Sequence, residues 1–598
     1  MKRMGGIHSV NRGADTIGHT IRLTIRIFCW SAVISLVFSM VLTAGSIWLF
    51  QGRPVLSRML LYSKAWAKSY AAQALMWAPI GNKHPQWVLV ETDEGEVDPI
   101  QLEADLAPVA RRNFLWAGKV VGICWGCIAG LMLVGFYRYG QRLMRTTLHR
   151  GQEIVSPKEF RRLIPRKKAG DYTLAEVPLP KNSELQHAMI LGAPGTGKTL
   201  TLIALLERIR RRGNKALVYD PTGTFYSIFW QPGDYLLNPL DARSQHWNPW
   251  AEIRTPYDAD TLAKSLIPIE VNSDPFWVNA ARSILAAALN RLPKGERTVE
   301  RLIEYLCTTD LSELARLVPG TDAAALLSQD NPRTALSVQA TTATSTRSLR
   351  YLWAGEQPLF SIRDWLAESD DSWLFLGAPA DQQASLKPLL TCWLESAATA
   401  VLSLPPSQER RVFVIIDELP TLHRLEAIPR LLAQGRKFGI AGFIGLQNFA
   451  QLKEIYGPAG ADALAGQCST WLTLRVPDAE SAEWASRNLG EIDVTEVQEA
   501  INYGANSFRD GRRLSEIRKP RPVVSATQIQ QLPDLEGYLR LAGPYPVVKV
   551  KVPVVKRQSI QSLHVPVNES KTVYGLLRDV PPALPAAKSK SQRKNWKF

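Results

Sequence analysis

The chain has 598 residues, with 71 lysines and arginines against 55 aspartates and glutamates, which gives a formal net charge of +16. A hydrophobic content of 46% can fill several cores and excludes a disordered polar chain. The positive charge favours an anionic partner, nucleic acid or an anionic membrane surface, although a general solubility charge is the alternative. Six scattered cysteines exclude a disulfide framework and are typical of a mostly reducing compartment.

The first predicted element is a membrane-spanning helix over residues 27–50. This stretch of 24 residues has no charged side chain and would form a helix about 36 Å long, enough to cross a bilayer. Residues 113–137 contain a second apolar run, which a lysine near its start can extend by snorkelling. The two runs together predict a transmembrane hairpin.

Basic residues flank both ends of this hairpin, in residues 1–26 and 138–180, whereas the intervening residues 51–112 carry an acidic cluster. The positive-inside rule therefore predicts cytoplasmic termini and a two-pass protein, with 51–112 in the periplasm if the cell is Gram-negative. We expect residues 138–180 to form a basic linker that leads to a cytoplasmic body.

A glycine-rich loop follows the apolar run "HAMIL" and precedes a helical pattern. It matches the P-loop motif, G-x-x-x-x-G-K-T, completely and in the expected context, and its residues are Gly192, Ala193, Pro194, Gly195, Thr196, Gly197, Lys198 and Thr199. In such loops the backbone N–H groups surround phosphates, the lysine reaches the β and γ oxygens, and the Thr199 hydroxyl would bind Mg²⁺. The loop predicts binding of ATP and Mg²⁺.

Short apolar runs alternate with helical patterns over residues 181–254 and 366–555, which predicts an α/β domain with a parallel sheet covered on both faces. Residues 255–365 show helical patterns only, so we expect an all-helical insertion. After residue 555 the chain is rich in proline and lysine, and we expect residues 556–598 to be a basic disordered tail.

Polar residues end three of the predicted strands. Asp417 and Glu418 follow "VFVII", which indicates that Asp417 orients Mg²⁺ and Glu418 activates the attacking water; a helix cap is the alternative. Gln447 ends the next strand and could sense the γ-phosphate or position water, or be an ordinary strand-end glutamine. Asp220 is either a polar residue near the site or the start of a turn before a proline.

A dense basic stretch between two strand-like segments is the candidate DNA contact. A hairpin or loop there could follow a phosphate backbone inside a ring, although a solvated surface is the alternative. Its residues are Arg509, Arg512, Arg513, Arg518, Lys519 and Arg521. No base-reading motif accompanies them, which favours binding that is independent of sequence.

Together, the P-loop, the helical insertion, "VIIDELP" with "LLAQGRKFGIAGFIGLQ", "DPFWVNAAR" and "LPDLEGYLRLAGPYPVVKV" resemble the conjugative coupling proteins of the TraD/TrwB/VirD4 family. The similarity covers about residues 181–552, and the two-helix anchor also matches. The resemblance implies a RecA-like P-loop NTPase domain and a hexameric inner-membrane ATPase. It also implies that the protein links a relaxase–DNA complex, the relaxosome, to a type IV secretion channel and pumps single-stranded DNA, with double-stranded DNA as a further possible substrate.

The resemblance also places an arginine finger at Arg436, between two glycines and just before a buried strand. An arginine at a helix end is the alternative. The short basic tail departs from relatives that carry long acidic or glutamine-rich tails, so the mode of relaxosome docking stays open. Two rival functions also stay open: a receptor for relaxase or effector proteins that uses ATP only for assembly, and a DNA translocase of the FtsK/HerA type.

Overall fold

The computed structural model describes residues 148–269, 274–307, 332–355, 358–502, 511–555 and 557–578, together with residues 90–92 and 95–97 and scattered positions within 25–45, 115–134 and 308–331. The chain divides into two units, residues 1–147 with 496–517 and residues 148–495 with 518–598.

The described strands include a set of buried apolar runs and several shorter or more polar segments. They are β1 (Val90–Thr92), β2 (Gly95–Val97), β3 (Leu148–Gly151), β4 (Ile154–Val155), β5 (Ala169–Leu174), β6 (Val177–Pro180), β7 (Ala188–Leu191), β8 (Lys215–Tyr219), β9 (Tyr235–Leu237), β10 (Trp373–Leu376), β11 (Val412–Ile416), β12 (Ile440–Leu446), β13 (Thr470–Thr473), β14 (Glu491–Asn502), β15 (Gly511–Pro522), β16 (Glu536–Arg540) and β17 (Val547–Lys551).

The described α-helices outside the N-terminal segments lie between these strands or in the insertion. They are α1 (Pro157–Leu163), α2 (Lys198–Arg211), α3 (Thr224–Phe229), α4 (Pro256–Leu266), α5 (Pro275–Arg291), α6 (Val299–Cys307), α7 (Pro332–Ser345), α8 (Ile362–Ala367), α9 (Gln383–Leu402), α10 (Ala427–Gln434), α11 (Phe449–Tyr456), α12 (Pro458–Gly466), α13 (Ala479–Leu489), α14 (Ala526–Gln530) and α15 (Val573–Arg578). Short 3-10 turns connect several of them, including Leu419–Thr421 and Gly435–Phe438.

A ten-stranded sheet organises the larger unit, in the order β4-β17-β16-β13-β7-β12-β11-β8-β10-β9. The seven strands from β13 to β9 are parallel, as the sequence predicts. The sheet then continues with β16 and β17, which pair antiparallel, an extension that the strand pattern alone did not predict. This α/β arrangement is confirmed.

Alternate residues of the central strands enter two separate cores. In β7, Met189 and Leu191 belong to one core, and Ala188 and Ile190 to the other. Successive side chains of a strand point to opposite faces, so the sheet is buried on both sides. Helix α2 contributes to the second core, whereas α9, α10 and the insertion contribute to the first.

The regular secondary structure described within residues 255–365 is helical, apart from one isolated bridge at Trp353. Helix α4 begins with a capping box in which Thr255 and Asp258 satisfy each other's backbone N–H groups. Helix α5 begins at Pro275 and is capped by Asp274, whose side chain accepts from the Phe276 N–H at 2.9 Å. These local signals end the strand pattern and start the helices that the sequence predicts.

The predicted boundaries of the linker need correction. The expectation of a basic linker over residues 138–180 is wrong from residue 148 onward, where β4, α1 and the β5–β6 hairpin lie against the body. Phe160, Leu174 and Val177 are fully buried there. The charged side chains whose exposure is described in this segment are on its surface, while a minority of apolar residues fixes it to the sheet.

The described part of the tail is also ordered, contrary to the predicted disorder after residue 555. Its backbone pairs with the body through Val565 O and Ala242 N at 2.8 Å and through Val573 N and Leu352 O at 3.0 Å. Val573 is fully buried. A few well-placed apolar residues therefore hold residues 557–578, while residues 579–598 of the predicted tail lie outside the described residues.

In the other unit, β1 and β2 form an antiparallel hairpin within the segment predicted to be periplasmic. The described positions of 25–45 and 115–134 are helical. Among the described residues, no helix reaches the length and apolar character needed to cross a membrane. The transmembrane hairpin over residues 27–50 and 113–137 stays a prediction.

A buried histidine links two elements of the larger unit and predicts a pH dependence. The His187 ring accepts from the Gly442 N–H at 3.0 Å through Nδ1, and its Nε2 lies 2.7 Å from the Leu432 carbonyl oxygen. Burial lowers the pKa of His187 to about 4. Because the unfolded chain binds this proton near pH 6.5 and the folded chain does not, stability is lost as pH falls from about 6.5 towards 4.

We therefore expect His187 to cost about 2 kcal/mol of folding free energy on acidification from pH 8 to pH 5. The measurement is the melting temperature of the wild-type protein and of His187→Gln at both pH values. Wild type should lose more stability than the variant, because other titrating groups are common to both. Equal losses would show that His187 does not titrate in this range.

Candidate active site

The glycine-rich loop leaves β7 at the carboxyl end of the sheet and is tied to the neighbouring strands. The Gly192 N–H donates to the Leu446 carbonyl at 3.0 Å, and the Ala193 N–H donates to the Arg475 carbonyl at 2.9 Å. Gly197 has a φ of 108°, a conformation that residues with a side chain rarely adopt. The loop conformation thus requires glycine at this position.

Helix α2 begins at Lys198, immediately after that glycine. The first four N–H groups of a helix have no partner within the helix, and the helix dipole places a partial positive charge there. Thr199 lies in this first turn. The arrangement gives the loop the backbone donors and the charge that bind phosphate groups.

Two further strands, β11 and β12, end at the same edge of the sheet. Asp417 and Glu418 follow β11, and Gln447 follows β12. These side chains and the glycine-rich loop line one cleft of about 450 Å³. The structure therefore brings together the P-loop, both acidic residues and Gln447, as the sequence predicts from strand ends of a parallel sheet.

A buried ion pair joins the two sides of the cleft. Lys198 Nζ donates to Glu418 Oε2, and both side chains are buried. The other carboxylate oxygen, Oε1, accepts from the Gln447 N–H at 3.1 Å. Since a phosphate oxygen would compete with this carboxylate for the lysine, phosphate binding would free Glu418 to accept a proton.

Asp417 has the features of a cation ligand. Its Oδ1 is buried and has no hydrogen-bond partner among the described residues. Burial raises the pKa of the Asp417 carboxyl to about 6, an effect that the nearby Lys198 opposes. A cation would satisfy the bare oxygen and favour the charged carboxylate, so Asp417 together with the Thr199 hydroxyl fits Mg²⁺.

Asp220 follows β8 and serves the adjacent turn. Its carboxylate accepts from the N–H groups of Thr224 at 3.1 Å and Tyr226 at 2.9 Å. It is fully buried, which raises its pKa, and it is not among the residues that line the cleft. Of the two alternatives for Asp220, these contacts favour the turn.

One set of contacts in the cleft was not predicted from the sequence. Gln383 Nε2 donates to the Tyr219 hydroxyl at 3.1 Å, and that hydroxyl lies 2.7 Å from Thr421 Oγ1. Thr421 Oγ1 in turn donates to the Glu418 carbonyl at 2.7 Å. The chain of bonds fixes the backbone that carries Glu418. Two of its three bonds join residues that are 164 and 202 positions apart in the sequence.

Arg436 does not lie in the cleft of its own chain. It is exposed in the 3-10 turn Gly435–Phe438, which precedes β12 at the amino end of the sheet. The seven residues of β12 separate it from Gln447 by about 20 Å at ~3.3 Å per residue. A role at the phosphates would therefore require the cleft of a neighbouring subunit.

The basic stretch lies on β15, which pairs with β14 in the three-stranded sheet β15-β14-β3. The two long strands form the hairpin that was one of the predicted alternatives. Arg512 and Arg513 lie within β15, and Arg518, Lys519 and Arg521 are exposed at its end. Arg509 lies outside the described residues.

Replacing Lys198 by alanine is expected to lower ATP hydrolysis by about 10²- to 10³-fold, because the phosphates lose a directed positive charge. The melting temperature should also fall, because Glu418 is left buried without its partner. Steady-state ATPase assays and thermal melts measure both effects. Arg208→Ala, at an exposed position of the same helix, is the control, and near-normal hydrolysis by Lys198→Ala would refute the P-loop assignment.

Comparison with known proteins identifies the family. A family model described as the type IV secretion-system coupling protein DNA-binding domain matches residues 171–553. The chain belongs to the type IV secretion-system coupling proteins. The predicted resemblance to the TraD/TrwB/VirD4 family is thereby confirmed.

Curated relatives agree with this assignment. Coupling protein TraD of Escherichia coli strain K12 is 33% identical over 440 residues, which are 72% of this chain and 61% of the relative. Conjugal transfer protein TraG of Rhizobium radiobacter is 20% identical over 401 residues, 63% of this chain and 60% of that relative. The chain spans about 60% of the length of these two relatives.

Solved structures of the coupling protein TrwB share the fold. TrwB in complex with ADP and Mg²⁺ is 29% identical, has a TM-score of 0.63, and is matched over 71% of this chain and 98% of that one. TrwB with the ATP analogue ADPNP is 28% identical with the same TM-score, over 71% of this chain and 98% of that one. The likeness supports an α/β P-loop NTPase fold for this coupling protein.

Proposed function

We propose that this coupling protein is a membrane-anchored, hexameric, DNA-dependent ATPase that connects the relaxosome to a type IV secretion channel and moves single-stranded DNA. The observation that carries the proposal is the cleft in which Lys198 pairs with Glu418 beside the unpartnered Asp417 oxygen. Such a site is equipped for hydrolysis as well as for nucleotide binding.

ATP and Mg²⁺ are the proposed ligands of this cleft. The residues of the loop, Gly192 to Thr199, would surround the phosphates, and TrwB binds ADP, Mg²⁺ and ATP analogues. Thr199 and Asp417 would hold the cation. Bound Mg²⁺ would neutralise charge on the phosphate oxygens.

Several polar side chains of the cleft have separate proposed roles in hydrolysis. Lys198 would bind the β and γ oxygens and thereby release Glu418. Glu418, whose backbone is fixed through Thr421, would accept the proton of the attacking water. Gln447 lies where it can orient that water, and Arg436 of an adjacent subunit would stabilise charge on the γ-phosphate.

DNA is the proposed substrate of the motor. The matched family model is described as a DNA-binding domain, and the basic strand β15 lies within its range. Arginines and lysines on a hairpin can follow phosphates without reading bases. We expect ATP hydrolysis by the purified protein to rise when single-stranded DNA is added.

Reversing the charge at Arg512 and Arg513 is expected to weaken single-strand binding uniformly across sequences and to remove the DNA stimulation of hydrolysis. Log affinity falls linearly as the logarithm of the salt concentration rises. Loss of two phosphate contacts should make this negative slope less steep by about 1.4. Binding is measured by fluorescence anisotropy over a salt series. The control is the double variant Lys158→Glu with Lys167→Glu, which changes the charge of two exposed lysines by the same amount. An unchanged salt slope in the Arg512 and Arg513 variant would mean that β15 is a solvated surface that does not contact DNA.

The apolar N-terminal segments support an anchor in the inner membrane with both termini in the cytoplasm. The rings of Phe28 and Trp125 lie 4.4 Å apart in a T-shaped contact, which joins the two segments. Trp30, Phe38 and Leu131 are more than half exposed, and lipid would cover them. Protease cleavage of residues 51–112 from the periplasmic side tests this orientation.

Partners follow from the family. We propose that the cytoplasmic body recruits a relaxase with its bound DNA and that the anchor contacts inner-membrane components of the secretion system. A receptor that delivers relaxase or effector proteins and uses ATP only for assembly would show no DNA stimulation of hydrolysis. That assay separates the two functions.

A further inference from the structure

A cavity larger than the nucleotide cleft lies between the helical insertion and the sheet domain, within a single unit. Its volume is about 680 Å³, and it is lined from α4 and α5 on one side and from α9, α10 and the loop before α10 on the other. Small-molecule sites commonly lie between subdomains and have volumes of about 300–1,000 Å³. The proposed ATPase function assigns nothing to this cavity.

Positive charge lines the cavity from both sides. Lys264 and Arg282 belong to the insertion, and Arg424 and Arg430 to the sheet domain. Within the part of the chain that the structure describes, none of these four makes an ion pair within 4.0 Å. Two carboxylates, Glu395 and Glu426, also line it, so the side-chain charge favours an anion.

Glu395 contributes an unsatisfied acceptor. It is 5% exposed, and its Oε1 accepts from the Ala427 N–H at 2.6 Å. Its Oε2 is buried and has no hydrogen-bond partner among the described residues. Burial raises the pKa of Glu395 to about 7, so at pH 8 most of this carboxyl is ionised. In that state a ligand that donates a hydrogen bond would satisfy Oε2.

Apolar side chains complete the wall. Pro268, Ile269 and Pro275 lie on the insertion side, and Ile455 on the other. The ligand therefore meets apolar side chains as well as positive charge and an acceptor. Nucleotides combine these three properties: a phosphate, a planar base and N–H donors on the base.

The cavity shares two elements with the active site. Helix α9 contributes Gln383 to the nucleotide cleft and Glu395 to the cavity. The segment that begins at Glu418 reaches the cavity at Arg424, and the His423 N–H donates to Thr391 Oγ1 of α9 at 3.2 Å. A ligand in the cavity would contact the same helix and segment that position Glu418.

We propose that this cavity is a second nucleotide-sized binding site, in which Arg424 and Arg430 hold a phosphate and Glu395 Oε2 accepts from the base of the same ligand. The ligand is either a free mononucleotide or one nucleotide of a DNA strand. Both present the same phosphate and base chemistry.

The test uses the full chain in detergent micelles, with the P-loop site filled by one equivalent per chain of a non-hydrolysable ATP analogue and Mg²⁺, so that no excess analogue competes for the second site. Deoxyadenosine monophosphate is titrated at pH 8 and low salt by isothermal calorimetry, and inorganic phosphate is titrated in parallel. We expect one further site per chain that binds the nucleotide more tightly than phosphate. The double variant Arg424→Gln with Arg430→Gln should weaken nucleotide binding at least tenfold.

Variants separate the two contacts. Glu395→Gln keeps the acceptor for Ala427 but replaces the free carboxylate oxygen by a donor, so it should weaken nucleotide binding and leave phosphate binding unchanged. Arg208→Gln, at an exposed position outside the cavity, should change neither. Thermal melts check that each variant folds. Arg424 and Arg430 are exposed, so their replacement should not unfold the protein. The test therefore stays valid even if Glu395→Gln unfolds.

The source of the ligand is tested with a short deoxyadenosine oligonucleotide in the Arg512→Glu, Arg513→Glu background, which removes the proposed hairpin contacts. If the oligonucleotide binds more tightly than the mononucleotide, and replacing Arg424 and Arg430 abolishes that binding, the ligand is a nucleotide of a DNA strand. If the mononucleotide binds more tightly, the ligand is a free nucleotide. No saturable second site, equal affinity for phosphate and nucleotide, or affinity unchanged in the double variant would overturn the inference. ATP hydrolysis, measured separately, tests the proposed function independently.

Discussion

Replacing Arg436 by alanine is expected to lower DNA-stimulated ATP hydrolysis by about 10³- to 10⁵-fold, the range known for arginine fingers, while ATP affinity stays near that of the wild type. The guanidinium would stabilise charge that develops on the γ-phosphate only in the transition state. Its loss therefore slows the chemical step and leaves ground-state binding intact.

The position of Arg436 makes the prediction specific to a subunit interface. It precedes β12, whereas the P-loop follows β7 at the opposite edge of the same sheet. An arginine at this edge cannot serve the cleft of its own chain. It can serve the cleft of the next subunit in a ring.

Mixing two inactive proteins tests this arrangement. Rings assembled from Arg436→Ala and Lys198→Ala chains contain some interfaces in which an intact P-loop meets an intact arginine, so activity should reappear at intermediate ratios. Lys437→Ala, the exposed neighbour in the same turn, should be active without mixing. Mixed rings must first be shown to form. If the ATPase rate at intermediate mixing ratios then does not exceed the rates of the two pure proteins, Arg436 has no role in trans.

Replacing Glu418 by glutamine is expected to lower the hydrolysis rate by about 10²- to 10⁴-fold, because the amide keeps the shape of the side chain but cannot accept a proton. ATP should bind at least as tightly as in the wild type. In the structure Lys198 is paired with Glu418, and the variant removes the need to break that pair before the phosphates bind.

Single-turnover hydrolysis and equilibrium ATP binding together measure this prediction. Glu409→Gln, an exposed glutamate shortly before β11, undergoes the same chemical change away from the cleft and should behave as the wild type. Persistent turnover by Glu418→Gln would mean that a different group accepts the proton. Weakened ATP binding would mean that the Lys198 pair does not compete with phosphate.

Local sequence patterns were enough to predict the core of the site. The P-loop needs glycine where the backbone turns, as at Gly197, and a lysine and threonine at the start of the helix. Asp417 and Gln447 end buried apolar strands, and parallel strands present their ends at one edge. Strand runs and the change to helical periodicity likewise predicted the sheet and the insertion.

Contacts between distant parts of the chain were beyond such patterns. The Lys198–Glu418 pair joins residues 220 positions apart, and the bond between Tyr219 and Thr421 joins residues 202 apart. The tail was misjudged for the same reason, since Val565 and Val573 stand alone in a proline-rich, basic sequence and their partners lie in the body. The overall composition of a segment does not reveal one or two residues that attach it to the body.

We propose that ATP hydrolysis in the cleft of Glu418 and Lys198 moves single-stranded DNA. The most direct measurement follows a fluorescently labelled single strand as the purified full-length protein, in nanodiscs, displaces a bound roadblock from it in the presence of ATP. We expect the wild type to displace the roadblock, and we expect displacement to stop with Glu418→Gln although this variant still binds ATP and DNA. Robust DNA-stimulated hydrolysis by the wild type without displacement would contradict DNA pumping.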